Sequence, residues 1–139
     1  MKAHIKTLLI IIALVPFLNG CDPLSGRGFT PWMTYKEMGE FLAPLEKKDE
    51  TNKNFWDHGH WLTAVEGRWD NGIPQFRLKI GDSPKEKKHG WFWWYNQSQE
   101  SFNQHIHELS DQGFVLVQHN SFEWPDGSRR FSGVWHKIE

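Results

Sequence analysis

The sequence predicts an α+β fold of two α-β-β repeats, each a helix packed on a twisted antiparallel hairpin, with one extra aromatic strand between them. Two turns share the frame W-x-x-G-x-x-x-F, at residues 69–76 and 124–131. A helix with apolar residues at helical spacing precedes each turn, which indicates a repeated unit. Between the copies, residues 91–95 read WFWWY and lack the alternation of apolar and polar residues that a half-buried strand shows.

Residues 1–20 have the form of a secretion signal and are not expected to belong to the domain. Lys2 and Lys6 give a basic start, and an apolar run from Leu8 to Leu18 follows. That run is too short to span a bilayer comfortably. The segment therefore predicts export.

Cys21 is the single cysteine of the chain and ends the stretch LNGC. This stretch resembles the lipobox of bacterial lipoproteins, in which the chain is cut before the cysteine and lipid is attached to it. The alternative is an ordinary signal beside a chance cysteine. The resemblance implies a multiply acylated Cys21 on the periplasmic side of a membrane, since several chains anchor more firmly than one. Asp22 follows directly and, by the enterobacterial sorting rule, favours the inner over the outer membrane.

Charge and composition limit the partners and divide the chain. Without residues 1–20, 14 Lys and Arg stand against 17 Asp and Glu, a net charge of −3. That balance argues against nucleic acid, whose phosphates require a basic face. Pro, Gly and Ser in residues 22–32 are typical of a tether. We expect a lipidated cysteine and tether over 21–32 and a single domain over 33–139, with repeats at 33–96 and 97–139.

The first helix has a clear start signal. Thr34 and Glu37 predict a capping box, with Met33 and Met38 as a hydrophobic staple around it. Its apolar positions then recur at helical spacing at Tyr35, Met38, Leu42 and Leu45.

The second helix has both a start and a stop signal. Ser98 can cap it, and Gly113 can end it in the left-handed conformation, with Phe114 folding back on Leu109 as in a Schellman motif. The helices align at an offset of 64 residues and the turns at 55, so the first copy carries nine extra residues in the polar stretch 46–59.

One face of each hairpin is expected to be apolar. In the first copy this face holds Trp61, Val65 and Trp69 opposite Phe76, Leu78 and Ile80. In the second copy it holds Phe114, Leu116, Phe122 and Trp124 opposite Phe131 and Trp135. The other face of the first hairpin is predicted to be wet, with Glu66, Arg68, Arg77 and Lys79. Neither copy can bury its apolar face alone, so stacking the two copies should close one core.

The second copy resembles the bacterial tandem repeat domain of secreted and lipid-anchored bacterial proteins, which also occurs as an accessory module in some secreted hydrolases. The matching residues are Phe102, Gly113, Phe114, Phe122, Gly127, Arg130, Phe131, Val134 and Trp135. The first copy keeps Trp69, Gly72 and Phe76 but has Leu78, Lys79 and Ile80 where the second ends in Val-Trp. These are core and turn residues, so the resemblance implies a fold and transfers no catalytic residue.

Eight histidines raise the question of a metal site. His58 and His60 lie just before a strand, where an H-x-H pair can point both rings to one side, and with Asp57 they are candidates for zinc or copper. The alternative, which we adopt, is a capped loop with surface histidines. His105 and His107 fall inside a helix, point in different directions and are expected to be solvated. We predict no metal and no cofactor.

The sequence offers no recognisable catalytic set. It has no G-x-S-x-G motif. Ser132 and His136 would stand about 13 Å apart along one strand, beyond the reach of a general base. Asp70 and Asp126 are explained as turn formers. We therefore predict a non-enzymatic protein, with a small hydrolase of unrecognised motif as an alternative.

The composition favours binding, because all nine tryptophans lie after residue 30 and aromatic side chains are enriched at interfaces. The expected ligand is a protein partner, for an immunity, exclusion, inhibitor or assembly role, with cell-wall glycan as the alternative. Trp91, Trp93 and Tyr95 should point one way from their strand, and Phe92 and Trp94 the other. One set should enter the core, and the other should be exposed beside Arg77 and Lys79, where it forms the candidate binding surface.

Overall fold

The computed structural model describes residues 28–139. In chain order these form an N-terminal segment (residues 28–33), α1 (Tyr35–Glu46), a 3-10 turn (Trp56–His58), β1 (His60–Asp70), β2 (Ile73–Asp82), β3 (His89–Gln97), α2 (Gln99–Asp111), β4 (Val115–Glu123) and β5 (Arg129–Ile138). Strands β1 and β2 form one antiparallel sheet, and the second sheet has the order β3-β5-β4. This is the predicted α+β fold, with helices packed against hairpins.

The predicted signal over 1–20 and the predicted lipid site at Cys21 lie outside the described residues. Within residues 28–139, no helix combines the length and the apolar character needed to cross a membrane.

The N-terminal segment is a counterpart of the aromatic strand β3. It pairs with the free edge of β2, as β3 pairs with β5, and the pairs coincide when 64 is added to the segment and 55 to β2. The first copy has Phe29–Lys79 and Met33–Phe76, and the second has Trp93–Val134 and Gln97–Phe131. Each copy is therefore a strand, a helix and a hairpin, and the first strand lies beside the last strand of its own copy.

Both helices begin as predicted. The Glu37 amide donates to the Thr34 hydroxyl at 3.3 Å, and the Thr34 amide donates to the Glu37 carboxylate at 2.8 Å. The Ser98 hydroxyl accepts from the Ser101 amide at 3.2 Å. These bonds satisfy amides that the first turn of a helix leaves free.

The end of α2 is also confirmed. Gly113 has a φ of 84°, and the Phe114 amide donates to the Leu109 carbonyl at 2.9 Å. This reversal directs the chain into β4 at once, so that α2 lies on the sheet that it precedes.

A β-bulge in β4 overturns the predicted apolar face of the second hairpin. The pairing with β5 shifts between Leu116 and Gln118, which leaves Val117 as an extra residue. Leu116 packs with the α2 cluster, whereas Phe122 is buried in the core shared with the first copy. The prediction that both lie on one face is wrong, because one extra residue turns every later side chain to the opposite face.

A second bulge at Thr63 changes the first hairpin in the same way. The residues opposite Ile80, Leu78 and Phe76 are Leu62, Val65 and Gly67, rather than the predicted Trp61, Val65 and Trp69. Trp61 is buried instead by stacking on His136, with ring centroids 3.7 Å apart. Trp69 stays 37% exposed at the hairpin tip, where it packs edge-on against Trp124.

The main core joins the two copies, as predicted. Leu62, Val65, Phe76 and Leu78 of the first hairpin are fully buried in one cluster with Val134 of the second. A smaller cluster lies between α2 and the other face of the three-stranded sheet and contains Phe102, Leu109 and Trp135.

The free edge of β1 is covered by side chains from the second copy. Each of its contacts joins a β1 backbone group to a polar side chain: His136 to the Leu62 carbonyl at 2.6 Å, Gln118 to the Val65 amide and carbonyl at 3.0 and 3.3 Å, and Asn120 to the Gly67 amide at 2.9 Å. The edge of one sheet thus rests on the face of the other. The bulge at Val117 makes this contact, since it turns Gln118 and Asn120 toward β1.

Candidate binding surface

The structure determines which face of β3 is exposed. Trp91, Trp93 and Tyr95 are half-buried against the main core. Phe92 and Trp94 point to the α2 side and remain 45% and 37% exposed. They stay accessible because β3 is the edge strand of its sheet, so that α2 covers the centre of that face more than its margin.

The two exposed rings rest on aromatic neighbours. Trp94 stacks on His105 with centroids 4.0 Å apart and planes 5° from parallel. Phe92 meets Phe114 edge to face at 5.5 Å. We call Phe114, Phe92, Trp94 and His105 the aromatic strip.

The prediction that His105 is solvated is wrong. Its side chain is 17% exposed, and it lies near Ser101 at 3.3 Å and Glu108 at 4.0 Å. Stacking on Trp94 buries the ring, whereas His107 on the next face of α2 is exposed. His105 therefore belongs to the support of the strip.

Arg77 and Lys79 are not brought together with the β3 rings. They alternate along β2 with Phe76, Leu78 and Ile80, which face the core against which Trp91 and Trp93 pack. The two cations consequently lie on the opposite face of the hairpin. The prediction that they flank the exposed rings of β3 is wrong.

Arg77 and Lys79 instead stack on rings of the N-terminal segment. Arg77 lies 4.3 Å from the Phe29 centroid and 4.6 Å from the Trp32 centroid. Arg68 covers Trp32 at 4.3 Å, and Lys79 lies 5.9 Å from Phe29. The order Lys79, Phe29, Arg77, Trp32, Arg68 forms what we call the cation–ring ladder, in which every contact is between a cation and a ring face.

Acidic and amide groups complete the ladder. Arg77 forms two bonds of 2.6 and 2.7 Å with Glu66, and both side chains are largely shielded from solvent. Arg68 donates twice to Gln75, at 2.7 and 2.9 Å, and contacts Asp70 at 3.2 Å. The guanidinium groups are therefore already engaged within the chain, which indicates that the ladder fastens residues 28–33 to β2.

The two histidines considered for a metal are held separately. His58 contacts the Asp49 carboxylate at 2.5 Å, inside a loop in which Asp49 also accepts from Thr51. His60 stacks on Phe55 at 4.2 Å and lies 3.5 Å from Asp82. Over residues 28–139, no group of three or more His, Cys, Asp or Glu side chains could hold a metal ion.

Ser132 and His136 are both committed to structural bonds. Ser132 is fully buried, and its hydroxyl accepts from the Asn96 amide at 3.2 Å. His136 is directed at the Leu62 carbonyl and stacks on Trp61. Burial lowers the pKa of His136, and the nearby His89 lowers it further. Its ring is therefore favoured in the neutral form, with Nε2–H donating to the carbonyl.

A cavity of about 410 Å³ lies between the start of α2 and the turn after β4. Its lining consists of Ser98, Gln99, Gly127, Ser128, Arg129 and Arg130. The lining supplies hydroxyl, amide and guanidinium groups, a set without a general base to activate a serine.

Four residues of these two surfaces were not anticipated from the sequence as functional groups: Phe29, Trp32, His105 and Phe114. A signal did exist for the first two, because residues 28–33 align with 92–97 at the same offset as the helices. For His105, the spacing of seven residues from Ser98 places it on the Phe102 side of α2. Only the packing shows that Trp94 covers it.

Comparisons with known proteins support the repeat. Residues 88–138 match a family model described as a polyglycine hydrolase-like structural repeat. The match supports a bacterial tandem repeat domain over this part of the chain. It begins beside β3 and ends with β5, which is the span of the second copy when β3 is counted as its first strand. A search of curated proteins and a search of solved structures found no match.

Proposed function

We propose that this chain is a non-enzymatic, periplasm-facing lipoprotein, anchored through Cys21, that binds a protein partner through the aromatic strip. The observation that carries the proposal is the exposure of Phe92 and Trp94 on an edge strand. From Gly90 to Gln99 the sequence has no charged residue. Apolar rings on an uncharged margin are the chemistry of a protein interface.

The supported geometry of the rings favours binding. Phe92 and Trp94 are fixed from below by Phe114 and His105. Rings that are already ordered lose little conformational entropy on binding, so that most of the buried area contributes to affinity. The match to a family described as a structural repeat also fits a binding role.

The predicted anchor would keep this surface close to the membrane. Six residues, 22–27, separate Cys21 from the first described residue. Fully extended, they span about 20 Å. The partner is therefore expected to be a membrane protein or a periplasmic protein that approaches the membrane.

The test compares tryptophans of equal exposure. Trp94 and Trp69 are both 37% exposed, but only Trp94 belongs to the strip. Cells that carry Trp94→Ala, Phe92→Ala, Trp69→Ala or the wild-type chain are crosslinked, and the chain is purified from membranes with its crosslinked proteins.

We expect one stoichiometric protein with the wild-type chain and with Trp69→Ala, and its loss with Trp94→Ala and with Phe92→Ala. Retention of the same protein by the Trp94→Ala variant would contradict the proposal. Binding to purified peptidoglycan that depends on Trp94, without a protein partner, would favour the glycan alternative instead.

A further inference from the structure

The two sheets have four outer edges, and three of them carry a feature that hinders pairing with another chain. The β1 edge is covered by Gln118, Asn120 and His136. The N-terminal segment contains Pro31, which has no amide hydrogen, and pairs with β2 through two isolated bridges. The β4 edge is interrupted by the bulge at Val117. Prolines and bulges are the usual protection of a sheet edge.

The β3 edge lacks such protection over most of its length. Residues 89–94 pair with β5 in unbroken register, and the shift in register comes only after Trp94. This stretch contains neither proline nor lysine nor a carboxylate. Among the described residues, the backbone of 91–94 has hydrogen-bond partners in β5 alone. A regular, apolar edge of this kind is a template for another strand.

We propose that β3 pairs with β3 of a second copy of this chain in antiparallel orientation, giving a two-fold symmetric dimer with a continuous six-stranded sheet. A two-fold axis makes an edge self-complementary, because each residue of one strand meets its own counterpart in reverse order. The uncharged run from Gly90 to Gln99 then opposes itself without like charges in contact.

The charges at the ends of β3 favour the same occupant. Lys87 and Lys88 precede the strand, and Glu100 follows it in the first turn of α2. In a pair centred on Trp93, residue 87 of one copy lies opposite residue 99 of the other. The two lysines therefore approach Glu100 of the second copy at both ends of the dimer, where opposite charges stabilise the register.

This dimer deepens the proposed function and rests on it in one respect, the use of the aromatic strip by a partner. Because the axis is perpendicular to the sheet, both copies of α2 lie on the same side. In the pair centred on Trp93, Phe92 of one copy faces Trp94 of the other. Two strips would merge into one surface with four exposed rings, about twice the area offered by a monomer.

The experiment measures the oligomeric state of the full chain by sedimentation velocity in detergent. The variant Phe92→Lys/Trp94→Lys places lysines opposite each other across the proposed pair, as natural edges do to prevent pairing. Val117→Lys is the matched control, since Val117 is 47% exposed on the other edge of the same sheet. Circular dichroism and thermal unfolding establish that each variant is folded.

We expect a dimer for the wild-type chain and for Val117→Lys, and a dissociation constant raised by about tenfold or more for the double variant. A wild-type chain that stays monomeric up to about 100 µM would overturn the proposal. A dimer weakened equally by Val117→Lys would also overturn it. Partner capture by a monomeric chain would leave the proposed function intact while removing the dimer, so the two failures are distinguishable.

Discussion

Trp94 and His105 stack almost parallel, with ring centroids 4.0 Å apart and planes 5° from coincidence. One ring comes from the edge strand β3 and the other from the second turn of α2. The contact joins the two elements that flank the exposed aromatic strip. It therefore links the stability of the second copy to the geometry of the proposed binding surface.

The change His105→Gln should remove the stacked ring while retaining a polar residue with good helix propensity. We expect a loss of about 0.5–1.5 kcal/mol in the free energy of unfolding, the usual contribution of a ring pair. Urea denaturation measures it. His107→Gln, on the exposed side of α2, is the control and should change stability by less than about 0.5 kcal/mol. Equal effects of the two variants would contradict the stacking role.

Acid should weaken the junction between the copies through His136. Burial lowers the pKa of His136 in the folded protein below its ordinary value of 6.5, so the unfolded chain binds the proton more readily. Stability is then fully present above pH 6.5 and is lost as pH falls from there toward the folded pKa. Thermal unfolding from about pH 8 down to about pH 5 should show a steeper decline in the wild-type chain than in His136→Gln. Parallel profiles would exclude this residue as the cause.

Two glycine-to-alanine changes should have opposite signs. A Cβ on Gly133 would lie 2.9 Å from Phe102 and 3.0 Å from Leu116, so Gly133→Ala should destabilise the chain by about 1–3 kcal/mol through overpacking. Gly39 lies in α1, where an added Cβ would have no neighbour within 4 Å, and Gly39→Ala should stabilise by up to about 1 kcal/mol. Urea denaturation of both variants checks the pair. A neutral Gly133→Ala would mean that α2 can move away from β5.

The cation–ring ladder is expected to hold the N-terminal segment in place. Arg77→Gln removes the central cation between Phe29 and Trp32 together with its ion pair to Glu66. We expect faster hydrogen exchange at the Thr30 and Met33 amides, which donate to β2 carbonyls.

The control for the ladder is Lys79→Gln, because Lys79 is the more distant cation at 5.9 Å from the Phe29 centroid. It should leave exchange at Thr30 and Met33 nearly unchanged. If Arg77→Gln also left exchange unchanged but abolished partner capture, Arg77 would be a binding residue rather than a fastening one.

The lipid anchor predicts the behaviour of Cys21→Ala. This variant should be released from membranes or remain unprocessed, because the acyl chains have no other site of attachment. Fractionation and the mass of the mature chain measure both outcomes. A variant that is processed and still fully membrane-bound would contradict lipidation at Cys21.

The sequence by itself determined the helices, the turns and the duplication. Caps such as Thr34 with Glu37, and the stop at Gly113 with Phe114, are local hydrogen-bond patterns, so that their residues are sufficient to specify them. The common frame of the two turns likewise followed from matching residues at fixed offsets.

The tertiary structure alone decided which side chains share a face and which rings are exposed. The bulges at Thr63 and Val117 each add one residue, and a strand has a period of two, so every later side chain changes sides. The cations Arg77 and Lys79 consequently stack on the rings of Phe29 and Trp32, and not on β3. Likewise, Phe92 and Trp94 are exposed because β3 lies at the edge of its sheet, a position that depends on pairing with β5, more than thirty residues away in the chain.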